Sequence, residues 1–269
     1  MNQQGRIPRV LTIAGSDSGG GAGIQADLKT FAAFGAYGMS AVAAVTAQNT
    51  REVTAIHEVP GEIVRAQILA VASDIGVDAA KTGMLAGAGL VEAVADTVRE
   101  LGISNLVVDP VTISKSGDAL LRPDGLSALR QKLLPLARML TPNLPEAEAL
   151  TGRRVVCLRE IQEAARRLLD LGPACVVIKG GHGRGDATDL FFDGRRFVLF
   201  QGERIRTSSD HGTGCTFSAA IAALFAKGVD PACAVGEAKR YVAGGMRSAT
   251  RLGSGHGPLN HFSGWRRAR

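Results

Sequence analysis

Short apolar runs alternate along this chain with longer stretches whose apolar residues recur every three or four positions. Residues 9–14 are a compact apolar run stopped by Gly15, the pattern of a buried strand. Residues 24–31 carry Ile24, Leu28 and Phe31 at helical spacing. Residues 37–47 read as a second strand, ending in Gln48-Asn49-Thr50. Helical periodicity returns over 60–72, 90–101, 126–137, 161–171 and from about 233 to 252, with Gly102 and Gly172 as stops. Another helix begins at Pro145, a residue suited to a first helical turn. Strand-like runs separate these helices at 79–85, 105–111, 139–143 and 174–179. Around Asp193-Gly194, residues 188–192 and 196–201 read as a hairpin. No linker, repeat or low-complexity segment interrupts the alternation. It predicts one α/β domain over 1–269, a doubly wound, mostly parallel sheet with helices on both faces. The core is expected over about 8–262, with a basic tail at 263–269.

Such a sheet gathers the residues that follow its strands along one edge, where ligands bind. The polar residues expected there are the loop at Gly15, Gln48, Asp109, Asn143, Lys179 and the turn at Gly212. The loop 15–23 holds five glycines in nine residues, enough for close backbone approach to a ligand, or for a merely flexible loop. It matches neither dinucleotide-binding nor P-loop spacing. Residues 208–224 are a glycine-broken turn running into an apolar, alanine-rich helix. The unpaired N–H groups and positive dipole end of such a helix suit an anion. Cys215 stands at that helix start, where a thiol is expected to be acidified. Gln48 offers one donor and one acceptor, the complement of an aminopyrimidine edge. Lys179 ends an apolar strand and suits a phosphate as a point charge. A carboxylate at Asp109, and Asn143 with Glu146, complete the set that phosphates and a magnesium ion need, the metal taking oxygen ligands, often through water. Each residue also has a plainer reading: Asp109 before Pro110 suits a turn, and Asn143 with Glu146 suits a helix cap. Their joint position favours phosphoryl transfer.

Composition narrows the classes. Hydrophobic residues make up 45% and charged residues 21%, a globular balance. Aromatic content of 4% argues against base-stacking platforms. The formal charge of +6 is scattered apart from the tail, so no nucleic-acid partner is expected. The four cysteines have neither metal-site nor redox-pair spacing, which suggests reduced thiols and a cytoplasmic protein. No signal-like start and no membrane-length apolar run is visible, so no membrane partner is expected.

Several stretches carry a resemblance. They are Ala14-Gly15-Ser16-Asp17 through Gly23-Ile24-Gln25-Ala26-Asp27, Ala47-Gln48-Asn49-Thr50 and Lys81-Thr82-Gly83-Met84-Leu85. They continue with Val108-Asp109-Pro110-Val111, Leu140-Thr141-Pro142-Asn143-Leu144-Pro145-Glu146, Lys179-Gly180-Gly181-His182 and His211-Gly212-Thr213-Gly214-Cys215-Thr216, out to residues 255–262. In this order the chain resembles the ribokinase-like superfamily, and within it the hydroxymethylpyrimidine/phosphomethylpyrimidine kinases of thiamine biosynthesis. The resemblance implies ATP- and Mg²⁺-dependent phosphorylation of 4-amino-5-hydroxymethyl-2-methylpyrimidine and then of its monophosphate. It implies a substrate pocket of Gln48, Gly15, Ala22, Asp27, Met84 and Val111. It implies an anion hole of Gly212, Thr213, Gly214 and Cys215, with Cys215 where related sugar kinases place an aspartate base. Lys179 and Asn143 are implied at ATP, Asp109 and Glu146 at magnesium, and a homodimer as the assembly. The loops 114–118 and 182–186 are candidates to close over ATP. Two positions depart from the family pattern: Ser18-Gly19 stands for proline-serine, and Thr112 for methionine. A pyridoxal kinase of the same superfamily and a non-catalytic binding protein on the same fold remain alternatives.

Overall fold

The computed structural model describes residues 6–112, 120–182 and 186–264. The loop residues 114–118 and 183–185 and the tail from 265 lie outside that set. Nine strands form one sheet: β1 (Arg9–Asp17), β2 (Tyr37–Gln48), β3 (Val53–Glu58), β4 (Ala79–Thr82), β5 (Leu106–Val108), β6 (Met139–Leu140), β7 (Cys175–Ile178), β8 (Asp189–Phe192) and β9 (Phe197–Phe200). Their order is β3-β2-β1-β4-β5-β6-β7-β8-β9. β2, β1, β4, β5, β6 and β7 run parallel, while β3, β8 and β9 are antiparallel additions at the two edges. The chain leaves β1 toward β2 and returns past it to β4. That reversal opens a crevice at the strand ends, the usual ligand position in such sheets.

Alternating strand residues feed two cores. Val10, Val107 and Val177 face one side; Leu11, Val108 and Ile178 face the other. On the first side pack α1 (Gly23–Ala33), α7 (Thr213–Ala226) and α8 (Pro231–Arg247). On the second pack α2 (Gly61–Asp74), α3 (Ala88–Glu100), α4 (Pro123–Ala128), α5 (Leu144–Thr151) and α6 (Leu158–Leu169). α7 is apolar on every side and buried from Thr216 to Phe225. A helix hydrophobic all round belongs inside. Its burial between the sheet, α1 and α8 fixes where its N-terminus points.

Four expectations need correction. β1 continues to Asp17, past a register irregularity between Ala14 and Gly15. β3 was not foreseen, because every residue after Val53 in it is exposed and no apolar alternation marks it. The helix expected over 126–137 starts at Pro123 and loosens into wider and tighter turns after Ala128. Pro135, which has no N–H, stands inside that irregular stretch. The last helix ends at Arg247 rather than near 252. Among the described residues no helix is long and apolar enough to cross a membrane.

Candidate active site

A cavity of about 960 Å³ opens at the strand ends. Thirteen of the fourteen expected site residues line it. They are Gly15 from β1, Ala22 from the β1–α1 turn, Gln48 from β2, Met84 after β4, and Asp109 and Val111 after β5. With them stand Asn143 and Glu146 at α5, Lys179 after β7, and Gly212, Thr213, Gly214 and Cys215 at the start of α7. The exception is Asp27, a correction to the expected substrate pocket. Its carboxylate is fully buried behind the wall. There it accepts from Thr12 Oγ1 at 2.6 Å and pairs with Lys81 Nζ at 2.9 Å.

The glycine loop owes its shape to Asp17. The Asp17 carboxylate accepts from the backbone N–H groups of Gly19, Gly21 and Ala22 at 2.8–3.0 Å, and it lies 2.9 Å from His211 Nε2. Burial alone would raise this carboxyl, but these donors hold it below its ordinary value. The loop then meets the turn at α7. Gly212 adopts φ +77°, and a Cβ there would collide with the Gly21 carbonyl. Glycine is therefore required on both counts.

Across the cavity, Lys179 Nζ pairs with Asp109 Oδ1 at 3.0 Å. Asp109 also accepts from Thr141 at 3.2 Å and Ser218 at 3.3 Å. Burial would raise Asp109, yet the Lys179 and Lys81 ammonium groups hold it low. Glu146 differs. Burial, reinforced by the Asp109 charge and opposed by Lys179, pushes it up to about 7. Asn143 and Glu146 do form the helix cap that their spacing allows. Asn143 N–H donates to Glu146 Oε2 at 2.7 Å, and Glu146 N–H donates to Asn143 Oδ1 at 2.9 Å. The cap and the cavity wall are the same two residues. Gly214 passes so close to Lys179 that a Cβ would stand 3.3 Å from Nζ. The N–H groups opening α7 and the lysine thus address one point.

Cys215 requires a second correction. It lines the cavity three residues into α7, but its thiol is not acidified. Burial pushes it up to about 11; Lys81 opposes the shift, and the Asp27 and Asp109 charges add to it. Desolvation outweighs the helix end.

This arrangement can be set beside known proteins. A family model described as phosphomethylpyrimidine kinase matches residues 17–260. The chain belongs to the phosphomethylpyrimidine kinase family. One relative, a hydroxymethylpyrimidine/phosphomethylpyrimidine kinase of Rhizobium meliloti, is 53% identical over 259 residues, covering 95% of this chain and 97% of its own. A phosphomethylpyrimidine kinase of Clostridium difficile matches with TM-score 0.80 and 42% identity, over 88% of this chain and 98% of that one. An ADP complex of Bacillus subtilis pyridoxal kinase matches with TM-score 0.89 and 39% identity, over 96% of this chain and 98% of that one. The fold is accordingly ribokinase-like.

Within the phosphomethylpyrimidine kinase family site, the donor set suits a magnesium ion held together with a nucleotide. Among the described residues no group of three or more acidic, histidine or cysteine side chains is placed to hold a metal alone. Asp109 and Glu146 supply two carboxylates beside the glycine turn that opens α7. Magnesium prefers such sites, keeping water and taking further oxygens from phosphate.

Sequence reasoning missed three members of this site. Lys81 is a fully buried lysine on the cavity floor. The available signal was a charge inside the apolar stretch Ala79-Ala80-Lys81-Thr82. Asp17 and His211 line the wall as a pair, separated by 194 positions, and no local pattern joins them. Thr112, the departure from the family pattern, lies outside the cavity lining; its backbone N–H donates to Glu146 instead.

Proposed function

We propose that the protein transfers a phosphoryl group from ATP to the hydroxyl of 4-amino-5-hydroxymethyl-2-methylpyrimidine, and then to the resulting monophosphate, yielding the diphosphate used for thiamine diphosphate. The observation that carries this reading is the convergence of two unlike half-sites on one cavity. Gln48 faces it with an amide, and the 212–215 turn faces it with Lys179, Asp109 and Glu146 alongside. In this reading Gln48, Gly15, Ala22, Met84 and Val111 hold the pyrimidine. The N–H groups of 212–215 receive the transferred phosphoryl group. Lys179 meets phosphate as a point charge, and Asn143 shapes the same wall. Asp109 and Glu146 would hold a magnesium ion, whose charge offsets that of the ATP phosphates. Cys215, in its thiolate form, would take the proton of the acceptor hydroxyl. The chain acts in the cytoplasm as a homodimer, which suits the exposed Tyr37, Val45 and Ile56 around β2 and β3.

The similarity to a pyridoxal kinase favours a second reading, phosphorylation of pyridoxal. An ADP-release assay with ATP and Mg²⁺ decides between them. The expected result is turnover of hydroxymethylpyrimidine and its monophosphate at a kcat/KM well above that for pyridoxal. In Q48A the KM for the pyrimidine should rise by about tenfold, with the KM for ATP nearly unchanged. Turnover of pyridoxal alone would move the activity to that substrate, and no turnover of any acceptor would leave a binding protein. Light scattering on the purified chain tests the dimer.

A further inference from the structure

Gln48 is held at both ends before any ligand arrives. Its backbone N–H donates to Ser18 Oγ at 2.8 Å, and the Ser18 hydroxyl donates back to the Gln48 carbonyl at 2.7 Å. Its side-chain amide ends between two polar neighbours. Nε2 lies 3.3 Å from His211 Nε2, and Oε1 lies 3.2 Å from Thr46 Oγ1.

Both neighbours have one proton at the contacting atom, and both direct it elsewhere. His211 Nε2 lies 2.9 Å from Asp17 Oδ2. An ionised carboxylate only accepts, so this ring nitrogen carries a proton and has no lone pair for an amide N–H. Thr46 Oγ1 donates to the Ser16 carbonyl at 2.8 Å, so toward Gln48 it is an acceptor. An amide N–H against His211 therefore meets another N–H, whereas an amide oxygen there can share the Nε2–H with Asp17 Oδ2; Thr46 calls for an N–H. The amide oxygen and nitrogen are nearly the same size, and exchanging them satisfies both neighbours without moving a heavy atom.

We infer that Gln48 turns Oε1 to the Nε2–H of His211 and Nε2 to Thr46, and that His211 is thereby a positioning residue for the choice of acceptor ring. One Oε1 lone pair then remains on the His211 side and one N–H on the Thr46 side. A ring with an exocyclic amine next to a ring nitrogen complements both, in only one of its two in-plane orientations. The amine donates to Oε1, and the ring nitrogen accepts from Nε2. A ring with hydrogen in place of the amine loses the first bond. The orientation of the amide follows from protein groups alone; its use in substrate choice rests on the proposed function.

The first test is ¹⁵N NMR of the imidazole rings in the ligand-free, full-length protein at pH 8. The expected result is a proton on His211 Nε2; a bare Nε2 with the proton on Nδ1 would overturn the inference. The signal is assigned by its loss in H211F. Should that variant fail to fold, substituting the other four of the five histidines one at a time assigns it by elimination.

The second test is calorimetric binding of hydroxymethylpyrimidine and its des-amino analogue without ATP. The wild type should prefer the amine, and H211F should lose about tenfold of that preference, the effect of one hydrogen bond. T46V, which removes the other anchor, should lower the preference too and serves if H211F does not fold. An undiminished preference in a folded H211F or T46V would overturn the positioning role. Absence of hydroxymethylpyrimidine turnover by the wild type would instead sink the proposed function, while the imidazole result would still decide the amide orientation.

Discussion

Burial disfavours the charged forms of both Cys215 and Glu146, and each has a consequence that pH exposes. With the Cys215 thiol near 11, roughly one molecule in 10⁴ carries a thiolate at pH 7. If this sulfur accepts the proton of the acceptor hydroxyl, kcat must climb as pH rises. The expected outcome is a rise in wild-type kcat from pH 7 to 9 and a flat profile in C215A, lower by about 10²-fold or more. A flat wild-type profile with full activity in C215A would leave Cys215 as a wall residue. Glu146 concerns stability. Its folded value of about 7 lies above its ordinary 4.5, so the folded state binds the proton more tightly. That contribution is complete below pH 4.5 and lost as pH rises through 7. In metal-free protein, the melting temperature of the wild type should therefore fall relative to E146Q between pH 4.5 and 7 and stay offset above it. Parallel curves across that range would mean that Glu146 is not desolvated as described.

Among the elements, the turn into α7 carries the strongest backbone constraint in the site. Gly212→Ala would put a side chain at φ +77° and drive its Cβ into the Gly21 carbonyl. The left-handed conformation alone costs about 1–3 kcal/mol. Urea unfolding should show at least that loss, and kcat/KM should fall by more than the stability change explains, because the N–H groups of 212–215 would shift. Gly264→Ala, with open space around its Cβ position and away from the cavity, is the control and should change neither. The same element explains what was legible beforehand. An apolar run after a glycine-broken polar turn is a local pattern, and so were the strand-end positions of Gln48, Asp109, Asn143 and Lys179. What escaped was non-local. Lys81 could be placed on a strand from its neighbours, but only packing shows Asp27 beneath it, 54 positions earlier. Strand β3 escaped for another reason. Val53 to Glu58 is an edge strand with both faces wet, so burial imposes no alternation on its residues. The acidified thiol was a correct rule for a helix end applied without the burial that reverses it.

For the molecule as a whole, the close passage of Gly212 past Gly21 has a thermodynamic consequence. In the proposed function the first loop would surround the acceptor and the second would receive the phosphate, yet their backbones touch with no room for a methyl group. Neither can rearrange around its own ligand without being felt by the other. The affinities of nucleotide and acceptor should then be linked, and linkage is reciprocal. A pyrimidine at saturation should change the dissociation constant of a non-hydrolysable ATP analogue by about fivefold or more. The analogue must change the pyrimidine constant by the same factor, as calorimetry in both directions can measure. Independent constants would mean that the two loops move separately. Under this linkage, two glycines in backbone contact beside the cavity let the enzyme register that both reactants are present, with no hinge and no moving domain.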